Sequence, residues 1–264
     1  MKPMLSMLPP KGVNPDVYLD NGKYLVQQKL DGERLLVQIG GGKAVGFNRK
    51  GAQVPSSDIP AFFHGPINTQ EMIFDGEMIG KTFYAFDIII DMKHDFEERA
   101  NILRFWKRAN FTDVRVVATP KPGQTQAEFV NEVRDHGGEG VILKLKTGLY
   151  RPGKRTLESI KYKFVQTCDV IVTELNRDGS ELGVSTATIH NGALVDAGGC
   201  KVPPEALPLL KVGSVIEVRY LYAMPSHRLY QPVWVKLRTD KDYSECTTDQ
   251  LKYTNKSDLS SISG

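Results

Sequence analysis

The chain has 264 residues, of which 41% are hydrophobic and 25% are charged, a composition typical of a globular protein with a buried core. The first ten residues are interrupted by three prolines and contain no continuous apolar run, which predicts neither a signal peptide nor a membrane span. Three scattered cysteines are too few for a disulfide framework or a zinc cluster, so we predict a reducing cytoplasm. The formal net charge of +3 is too small to identify a nucleic-acid partner by itself.

The first predicted elements are three short strands. Apolar and β-branched residues fill Tyr24–Gln28, Leu35–Ile39 and Ala44–Phe47, a texture typical of β-strands. Asp31-Gly32 and the run Gly40–Gly42 separate these segments and are typical of turns. We therefore predict that the three strands form an antiparallel meander.

A second hairpin and two more strands follow. Ile73–Ile79 and Thr82–Ile90 are apolar runs joined by Gly80-Lys81, which predicts a hairpin. Glu139–Leu145 and Ser159–Val165 also read as strands. Together with the helices described next, these elements predict an α+β domain built on antiparallel sheet over residues 1–166.

Two helices are predicted from capping boxes, in which an N-cap side chain is followed three residues later by Glu. Asp95 and Glu98 form the first box, and Thr125 and Glu128 form the second. The spacing of apolar residues predicts that the helices end near residues 108 and 137.

The sequence changes character at Gln166–Asp169, which we predict to be the domain junction. Short β-rich runs then alternate with Gly, Pro, Asn and Asp over residues 167–246, as in a small β-barrel of the OB kind. The predicted strands are Asp169–Leu175, Gly183–His190, Val215–Leu221 and Val233–Leu237, and one helix is predicted at Pro204–Leu210. Residues 247–264 are rich in Ser, Thr, Lys and Asp, which predicts a disordered tail.

The most informative motif is Lys29-Leu30-Asp31-Gly32-Glu33-Arg34. A lysine amine can attack the α-phosphate of a nucleoside triphosphate and carry the nucleotide as a phosphoramidate, which divides one difficult transfer into two. The amine must be deprotonated to attack, so neighbouring cations, a metal ion or desolvation are expected. The alternative interpretation is a solvated lysine before a hairpin turn.

Other segments carry charges in otherwise apolar strands. They are Phe74–Ile79, Tyr84–Ile88, Glu139–Lys144 and Ser159–Phe164. The densest cationic stretch, Lys144–Lys163, is suited to binding phosphates. Each segment taken alone also has an ordinary structural interpretation, such as an edge-strand acid or a solvated basic face.

In this order the motifs resemble those of the covalent nucleotidyltransferase superfamily, and most closely those of the small ATP-dependent DNA ligases of bacteriophages. The resemblance extends from Leu25 to Lys241. It implies that Lys29 is the catalytic nucleophile that becomes adenylated. It also implies an adenylation, or nucleotidyltransferase, domain over residues 1–166 and an OB-fold domain over residues 167–246.

The resemblance assigns ten residues to ATP binding by their places in the motifs. They are Gln27, Lys29, Leu30, Arg34, Arg49, Glu77, Phe86, Glu139, Lys161 and Lys163. Glu77 and Glu139 are the implied ligands of Mg²⁺, for which Mn²⁺ is expected to substitute, and Phe86 is the aromatic residue expected to stack on adenine.

The remaining assignments concern phosphates. Arg34 is expected to meet the nucleotide or the nick phosphate, Arg49 the ribose or the nick, and the pair Lys161 and Lys163 the α-phosphate. The segment Leu237–Lys241 resembles the Arg-x-Asp-Lys signature that orients pyrophosphate during self-adenylation, which assigns that role to Arg238, Asp240 and Lys241.

One residue departs from the pattern. Many DNA ligases carry Glu two residues before the lysine to read the adenine amino group, whereas this chain has Gln27. An amide offers both a donor and an acceptor, so purine preference is less sharply specified, and ATP is preferred to GTP as the expected cofactor.

The resemblance implies a monomeric, ATP-dependent and Mg²⁺-dependent DNA ligase that seals nicks in duplex DNA. Lysyl-AMP forms first, AMP then moves to the 5′-phosphate, and the 3′-hydroxyl finally attacks and releases AMP. Replication, repair and recombination are the pathways that use such an enzyme, and a bacteriophage origin would place it in the bacterial cytoplasm. The junction near Gln166 is expected to act as a hinge.

Three alternatives remain open at this stage. An RNA ligase or an mRNA guanylyltransferase would share the lysine chemistry, although the barrel signature argues against many RNA ligases and a guanylyltransferase would use GTP. The third alternative is a nonenzymatic OB-type protein that binds single-stranded nucleic acid.

Overall fold

A computed structural model describes residues 1–65, 71–107, 113–176 and 183–253. Their contacts divide the chain into two compact units, of which one comprises Met1–Tyr162 and the other begins at Lys163. Neither of the two α-helices in the described part of the chain has the length and hydrophobicity that crossing a membrane requires.

The first unit contains a four-stranded sheet in the order β1-β9-β8-β2. Its strands are β1 (Leu5–Met7), β2 (Tyr24–Lys29), β8 (Gly140–Leu145) and β9 (Arg155–Lys163). β2 and β8 are antiparallel, and β1 runs parallel to β9. Four of the six residues of β2 are buried, which is typical of a strand covered on both faces.

A five-stranded sheet in the same unit has the order β4-β3-β5-β6-β7. It comprises β3 (Glu33–Gly40), β4 (Lys43–Asn48), β5 (Met72–Ile79), β6 (Thr82–Ile89) and β7 (Val114–Val116). Buried aliphatic and aromatic side chains of this sheet pack with Leu103 of the first helix. The predicted hairpins β3–β4 and β5–β6 are confirmed.

Both helices in the described part of this unit begin as their capping boxes predict. The first, α1 (Phe96–Lys107), follows Asp95, whose carboxylate accepts the Glu98 N–H at 3.0 Å while Glu98 accepts the Asp95 N–H at 2.9 Å. The second, α2 (Gln126–Asp135), has the reciprocal bonds between Thr125 and Glu128. The predicted end of α1 at residue 108 lies outside the described residues.

The prediction of a three-strand meander is wrong at its first turn. β2 pairs with β8, whereas β3 pairs with β4 and β5 in the other sheet. The residues between β2 and β3 therefore cross from one sheet to the other. Local turn chemistry at Asp31-Gly32 identified the bend but not the partner of the strand before it, because strand pairing is decided by distant residues.

The second unit is a closed five-stranded barrel in the order β10-β11-β12-β14-β13. Its strands are β10 (Gln166–Asn176), β11 (Gly183–His190), β12 (Ala193–Lys201), β13 (Val215–Tyr220) and β14 (Val233–Leu237). Buried side chains from these strands form one apolar core. The predicted strands are present, and β12, which the prediction did not contain, completes the barrel.

Two further predictions for this region are wrong. Pro204–Leu210 contains only a short 3-10 helix at Leu207–Leu209, because Pro208 lacks the backbone N–H that a continuous α-helix would need there. Residues 247–253, expected to begin a disordered tail, pack on the barrel instead, with a 3-10 helix at Thr248–Gln250 and Leu251 buried in the core. Residues 254–264 lie outside the described part.

Candidate active site

Lys29 lies at the end of β2, where strand pairing brings a carboxylate to it. Lys29 is opposite Gly140 in the β2–β8 register, so Glu139 is adjacent. The Lys29 Nζ forms an ion pair with the Glu139 carboxylate and donates a hydrogen bond to the Leu30 carbonyl at 3.3 Å. The Lys29 side chain is 20% exposed, whereas the Glu139 side chain is 4% exposed. The amine is therefore accessible while its partner is fixed.

Gly32 allows the link between the two sheets to approach the five-stranded sheet closely. A Cβ on Gly32 would lie 2.2 Å from the Met78 carbonyl oxygen and 3.0 Å from Glu77 Cγ. No side chain larger than hydrogen fits at that distance. Leu30, in the same link, is buried. Lys29 is thus held against β5 by the segment that follows it.

Glu77 projects from β5 beside both cations of the motif. It lies opposite Arg34 in the β3–β5 register. Burial raises the pKa of the Glu77 carboxyl, and the charges of Arg34 and Lys29 together with a hydrogen bond from the Gly32 N–H only partly oppose this rise. Lys29 therefore interacts electrostatically with two carboxylates, those of Glu77 and Glu139.

Arg34 is engaged inside the unit. Its guanidinium donates to both Asp75 carboxylate oxygens, at 2.5 and 2.7 Å, and to the Met4 carbonyl at 3.1 Å. It also lies over the Phe86 ring, 4.4 Å from the ring centroid. Burial disfavours the charged guanidinium, but the attraction and hydrogen bonds of Asp75 are stronger, so the pKa of Arg34 is raised. The expected contact of Arg34 with nucleotide or nick stays a prediction.

Gln27 joins the two sheets behind Lys29. Its side chain is buried, and its amide nitrogen donates to the Phe86 carbonyl at 2.9 Å. Gln27 and Phe86 come from β2 and β6 respectively, so this bond fixes the sheets to one another next to the lysine. The half-buried Phe86 ring also lies 5.8 Å from Lys144 Nζ. The roles of Gln27 and Phe86 in base recognition stay predictions.

A buried polar network lies beneath these residues, and the sequence prediction missed most of it. Asp75 and Asp87 are directly opposite in the β5–β6 register, and both are fully buried. Tyr150 donates to Asp75 at 2.7 Å. Arg99 donates to Asp87 at 2.7 and 3.2 Å, and Lys144 Nζ lies 3.4 Å from the same carboxylate.

Within this network the buried acid Asp87 is paired with two buried cations. Burial raises the pKa of Asp87, but Lys144 and Arg99 outweigh burial and hold its pKa below the ordinary value. Such charges are stable inside a protein only when paired and hydrogen-bonded. The sequence signal was an acid in the middle of each apolar strand, Phe74–Ile79 and Tyr84–Ile88, but it did not reveal the partners on α1 and β8.

Three further predicted phosphate-binding residues come from β9 and from the turn after β4. Arg49 is exposed in the turn after β4. Lys161 and Lys163 lie two residues apart on β9, which places them on one face of the strand. Lys163 Nζ donates to the Gln231 side-chain oxygen at 3.3 Å within the second unit.

Residues of the Arg-x-Asp-Lys segment follow β14 in the second unit. Arg238 donates to Asp240 at 2.9 Å through two nitrogens and to Asp169 at 3.0 Å. The hydrogen bonds from Arg238 lower the pKa of Asp240 to about 2. Lys241 donates to Glu245 at 2.8 Å. In this structure the signature residues are thus paired with carboxylates of their own unit.

The carboxylates near Lys29 are suited to a hard cation that takes only some of its ligands from the protein. Within the described ranges, no group of three or more His, Cys, Asp or Glu side chains could hold a metal ion. Glu77 and Glu139 nevertheless offer two carboxylates to one amine. Mg²⁺ in phosphoryl-transfer sites is commonly bound by one or two carboxylates, with water and substrate phosphates as further ligands.

Comparison with known proteins identifies the class. A family model described as RNA ligase matches residues 22–163, more than half of the chain. The protein belongs to the RNA ligase family. The match includes Lys29, both carboxylates beside it and the buried network. It ends at the first residue of the second unit, Lys163. No curated protein sequence matches the chain.

Solved structures share the fold over both units. The ligase domain of M. tuberculosis LigD is 23% identical, with 93% of this chain and 97% of that chain covered and a TM-score of 0.55. A mycobacterial DNA ligase D complexed with ATP is 22% identical, with the same coverage and a TM-score of 0.53. A Lig E DNA ligase is 19% identical, with coverage of 90% and 99% and a TM-score of 0.66. At these identities the likeness establishes the fold.

Proposed function

We propose that this protein is an ATP-dependent DNA ligase that seals nicks in duplex DNA. The observation that carries the proposal is the accessible Lys29 at the end of β2, ion-paired with Glu139 and close to Glu77. A lysine with only a structural role would not require the segment between β2 and β3 to approach β5 as closely as it does at Gly32. Membership of a ligase family supports the same chemistry.

In the first step the Lys29 Nζ attacks the α-phosphate of ATP. A bond forms between the nitrogen and phosphorus, the bond to the β-phosphate oxygen breaks, and pyrophosphate leaves. The ammonium must first lose a proton, and Glu139 is the carboxylate in contact with it. Covalent capture of AMP in this way converts one transfer into two easier ones.

In the following steps AMP moves from Lys29 to the 5′-phosphate of the nick, and the 3′-hydroxyl then attacks that phosphate and releases AMP. Glu77 and Glu139 would hold Mg²⁺, which neutralises phosphate charge when it is bound. We assign Lys161 and Lys163 to the α-phosphate, Arg34 to the nucleotide or the nick, and Arg49 to the ribose or the nick. These cations supply the positive charge that phosphoryl transfer requires.

ATP is proposed as the nucleotide. The Gln27 side chain donates a hydrogen bond to the Phe86 carbonyl, and Gln27 precedes Lys29 by two residues on β2. An amide at position 27 can read a purine edge, and the Phe86 ring can stack on adenine. A structure of similar fold is complexed with ATP.

The barrel is proposed to be an OB-fold domain, with Arg238, Asp240 and Lys241 orienting pyrophosphate during self-adenylation. Five strands closed into a barrel fit this class. The hinge is proposed near Gln166, where β10 begins. It would allow the barrel to approach the nucleotide in the first step and the DNA in the later steps.

A nicked RNA is the second candidate substrate, because the family model that matches residues 22–163 is described as RNA ligase. DNA is favoured because the DNA ligase structures of similar fold cover the barrel as well as the first unit.

The test uses purified protein with Mg²⁺ and either α-labelled ATP or α-labelled GTP, followed by nicked DNA or nicked RNA. We expect an adduct with ATP, discharge of the label by nicked DNA, and a sealed strand. Lys29→Ala should abolish the adduct, whereas Lys23→Ala, which removes an exposed lysine just before β2, should leave it unchanged. Labelling of the Lys29→Ala protein would refute the assignment of the nucleophile, and discharge by RNA alone would move the proposal to RNA ligation.

A further inference from the structure

Five cations from three separate segments, Lys2 among them, form a group on the first unit. We call them the Lys2 patch, and they are Lys2, Lys50, Arg151, Lys154 and Arg155, all exposed. None of these residues belongs to the site described above. Three segments distant in sequence supply them, so the patch is a product of the fold and was not visible as one feature of the sequence.

Backbone hydrogen bonds hold two of these segments together. The Gly153 N–H donates to the carbonyls of Lys2 and Pro3, both at 3.2 Å, and the Leu5 N–H donates to the Lys154 carbonyl at 2.9 Å. β1 then continues alongside β9 from Arg155 onward. The loop that carries three of the cations is therefore fixed against the segment that carries Lys2.

Two glycine turns enclose the stem of Lys2. A Cβ on Gly51 would lie 2.7 Å from Lys2 Cγ, and one on Gly153 would lie 3.6 Å from Lys2 Cβ. Both glycines have positive φ, +83° and +69°, a backbone conformation that L side chains rarely adopt. Lys50 precedes the first glycine and Lys154 follows the second. The ordered stem of Lys2 reduces the entropy lost when its ammonium binds a ligand.

The charge of the patch is largely uncompensated. Arg151 contacts Glu158 at 3.4 Å, and Glu158 is only 20% exposed. The other four cations form no ion pair with the described residues. An exposed, unpaired cluster of this kind produces a local positive potential that attracts polyanions.

The patch is joined to the candidate active site through Met4. The Met4 carbonyl accepts from Arg34 at 3.1 Å, and the Met4 N–H donates to the Tyr150 hydroxyl at 3.1 Å. Met4 follows Lys2 by two residues, which limits their Cα separation to about 7 Å. Tyr150 directly precedes Arg151. A ligand on the patch is therefore anchored to the same residues that hold Arg34 in place.

We infer that the Lys2 patch binds the phosphate backbone of duplex DNA flanking the nick, an inference that rests on the proposed function. Cations spread over three segments match an extended row of phosphates better than one small anion. Contacts of this kind set register and orientation without reading sequence. The patch would thus position the nick relative to Arg34 and Lys29.

The test compares Lys2→Gln/Lys50→Gln/Lys154→Gln with the wild type in binding a nicked DNA duplex over a range of salt concentrations. Binding is measured without ATP, and formation of the ATP adduct is measured separately. None of the three side chains makes an ion pair with described residues, so folding should be preserved. The matched control is Lys23→Gln/Lys43→Gln/Lys93→Gln, which removes the same charge from exposed positions on other elements.

We expect the slope of log Kd against log salt to fall by about 1 for each lysine removed, and about 3 in total, with the control unchanged. Adduct formation should remain as in the wild type. An unchanged slope in a variant that still forms the adduct would overturn the inference, and so would an equal loss in the control. A lowered slope with no adduct in the wild type would support the patch while refuting the proposed ligase chemistry.

Discussion

Glu77 is an acid whose surroundings disfavour its charged form. It is a half-buried carboxylate whose pKa is raised, because burial outweighs the attraction of Arg34 and Lys29. A carboxyl group with a perturbed pKa beside two cations is typical of a functional site rather than of a stabilising contact. At this scale the sequence analysis selected Glu77 and Glu139, and the structure places both near Lys29, while their roles stay predictions.

Replacing Glu77 by Gln should stabilise the protein at neutral pH. A folded-state pKa above the unfolded value means that the protonated form is favoured by folding. The stability that Glu77 contributes is therefore complete below the unfolded pKa and is lost as pH rises through the folded pKa. Glu77→Gln should match the wild type in melting temperature near pH 4 and exceed it near pH 7 by roughly 1–4 °C.

Thermal melts at both pH values would measure this difference. Glu33→Gln serves as the control, because Glu33 is an exposed acid on the adjacent strand, and its melting temperature should follow the wild type at each pH. A Glu77→Gln protein that is less stable than the wild type at pH 7 would mean that the attraction of Arg34 and Lys29 outweighs the cost of burial.

The partners of the buried acids could not be predicted from the sequence. The acids Asp75 and Asp87 were visible in apolar strands, but their partners Arg99, Lys144 and Tyr150 come from other elements. A buried charge requires a partner, but the sequence around it does not indicate which residue that partner is. For the same reason Arg34, expected to face a ligand, was not foreseen as the partner of Asp75.

At the scale of elements, the link from β2 to β3 decides where Lys29 lies. Gly32 is drawn so close to β5 that Gly32→Ala would place a methyl group 2.2 Å from the Met78 carbonyl. That carbonyl belongs to a strand paired on both sides and cannot move freely. We expect Gly32→Ala to destabilise the protein by about 1–3 kcal/mol, as overpacking does, and to reduce adduct formation at least about tenfold by displacing Lys29.

Chemical denaturation and a labelled-ATP assay would measure the two effects. Gly199→Ala is the matched control, because a Cβ there would meet nothing closer than 3.7 Å and should change neither quantity appreciably. A Gly32→Ala protein with wild-type stability and wild-type adduct formation would show that the link can relax, and that close approach at this glycine is not needed to place the lysine.

The two helices with capping boxes were predicted correctly, whereas the partner of β2, which is set by distant pairing, was not. Both capping boxes formed as expected because each involves residues three apart. The meander failed because β2 finds its partner more than a hundred residues later, in β8. β12 was missed because its sequence contains two adjacent glycines and lacks strong alternation of apolar and polar residues. Its position is set by β11, to which it is joined by a two-residue turn.

At the scale of the whole molecule, the residues assigned to the proposed reaction are divided between the two units. The first unit holds the lysine and two carboxylates, whereas the second holds Arg238 and Lys241 in ion pairs with its own acids. Asp240, the principal partner of Arg238, is 67% exposed. Exposed pairs contribute little free energy, so the proposed role of Arg238 in orienting pyrophosphate would require only the exchange of its contact with Asp240.

This exchange predicts a step-specific defect. Arg238→Ala should slow formation of lysyl-AMP by roughly a hundredfold, as expected for loss of one cationic donor at developing charge. Sealing of a nick that already carries AMP on its 5′-phosphate requires no pyrophosphate, so it should remain within about threefold of the wild type. Lys236→Ala, at a neighbouring lysine that is 60% exposed, should leave both rates unchanged. A contact with pyrophosphate would affect only the first step. An equal loss in both reactions would therefore mean that Arg238 stabilises the barrel and does not contact pyrophosphate.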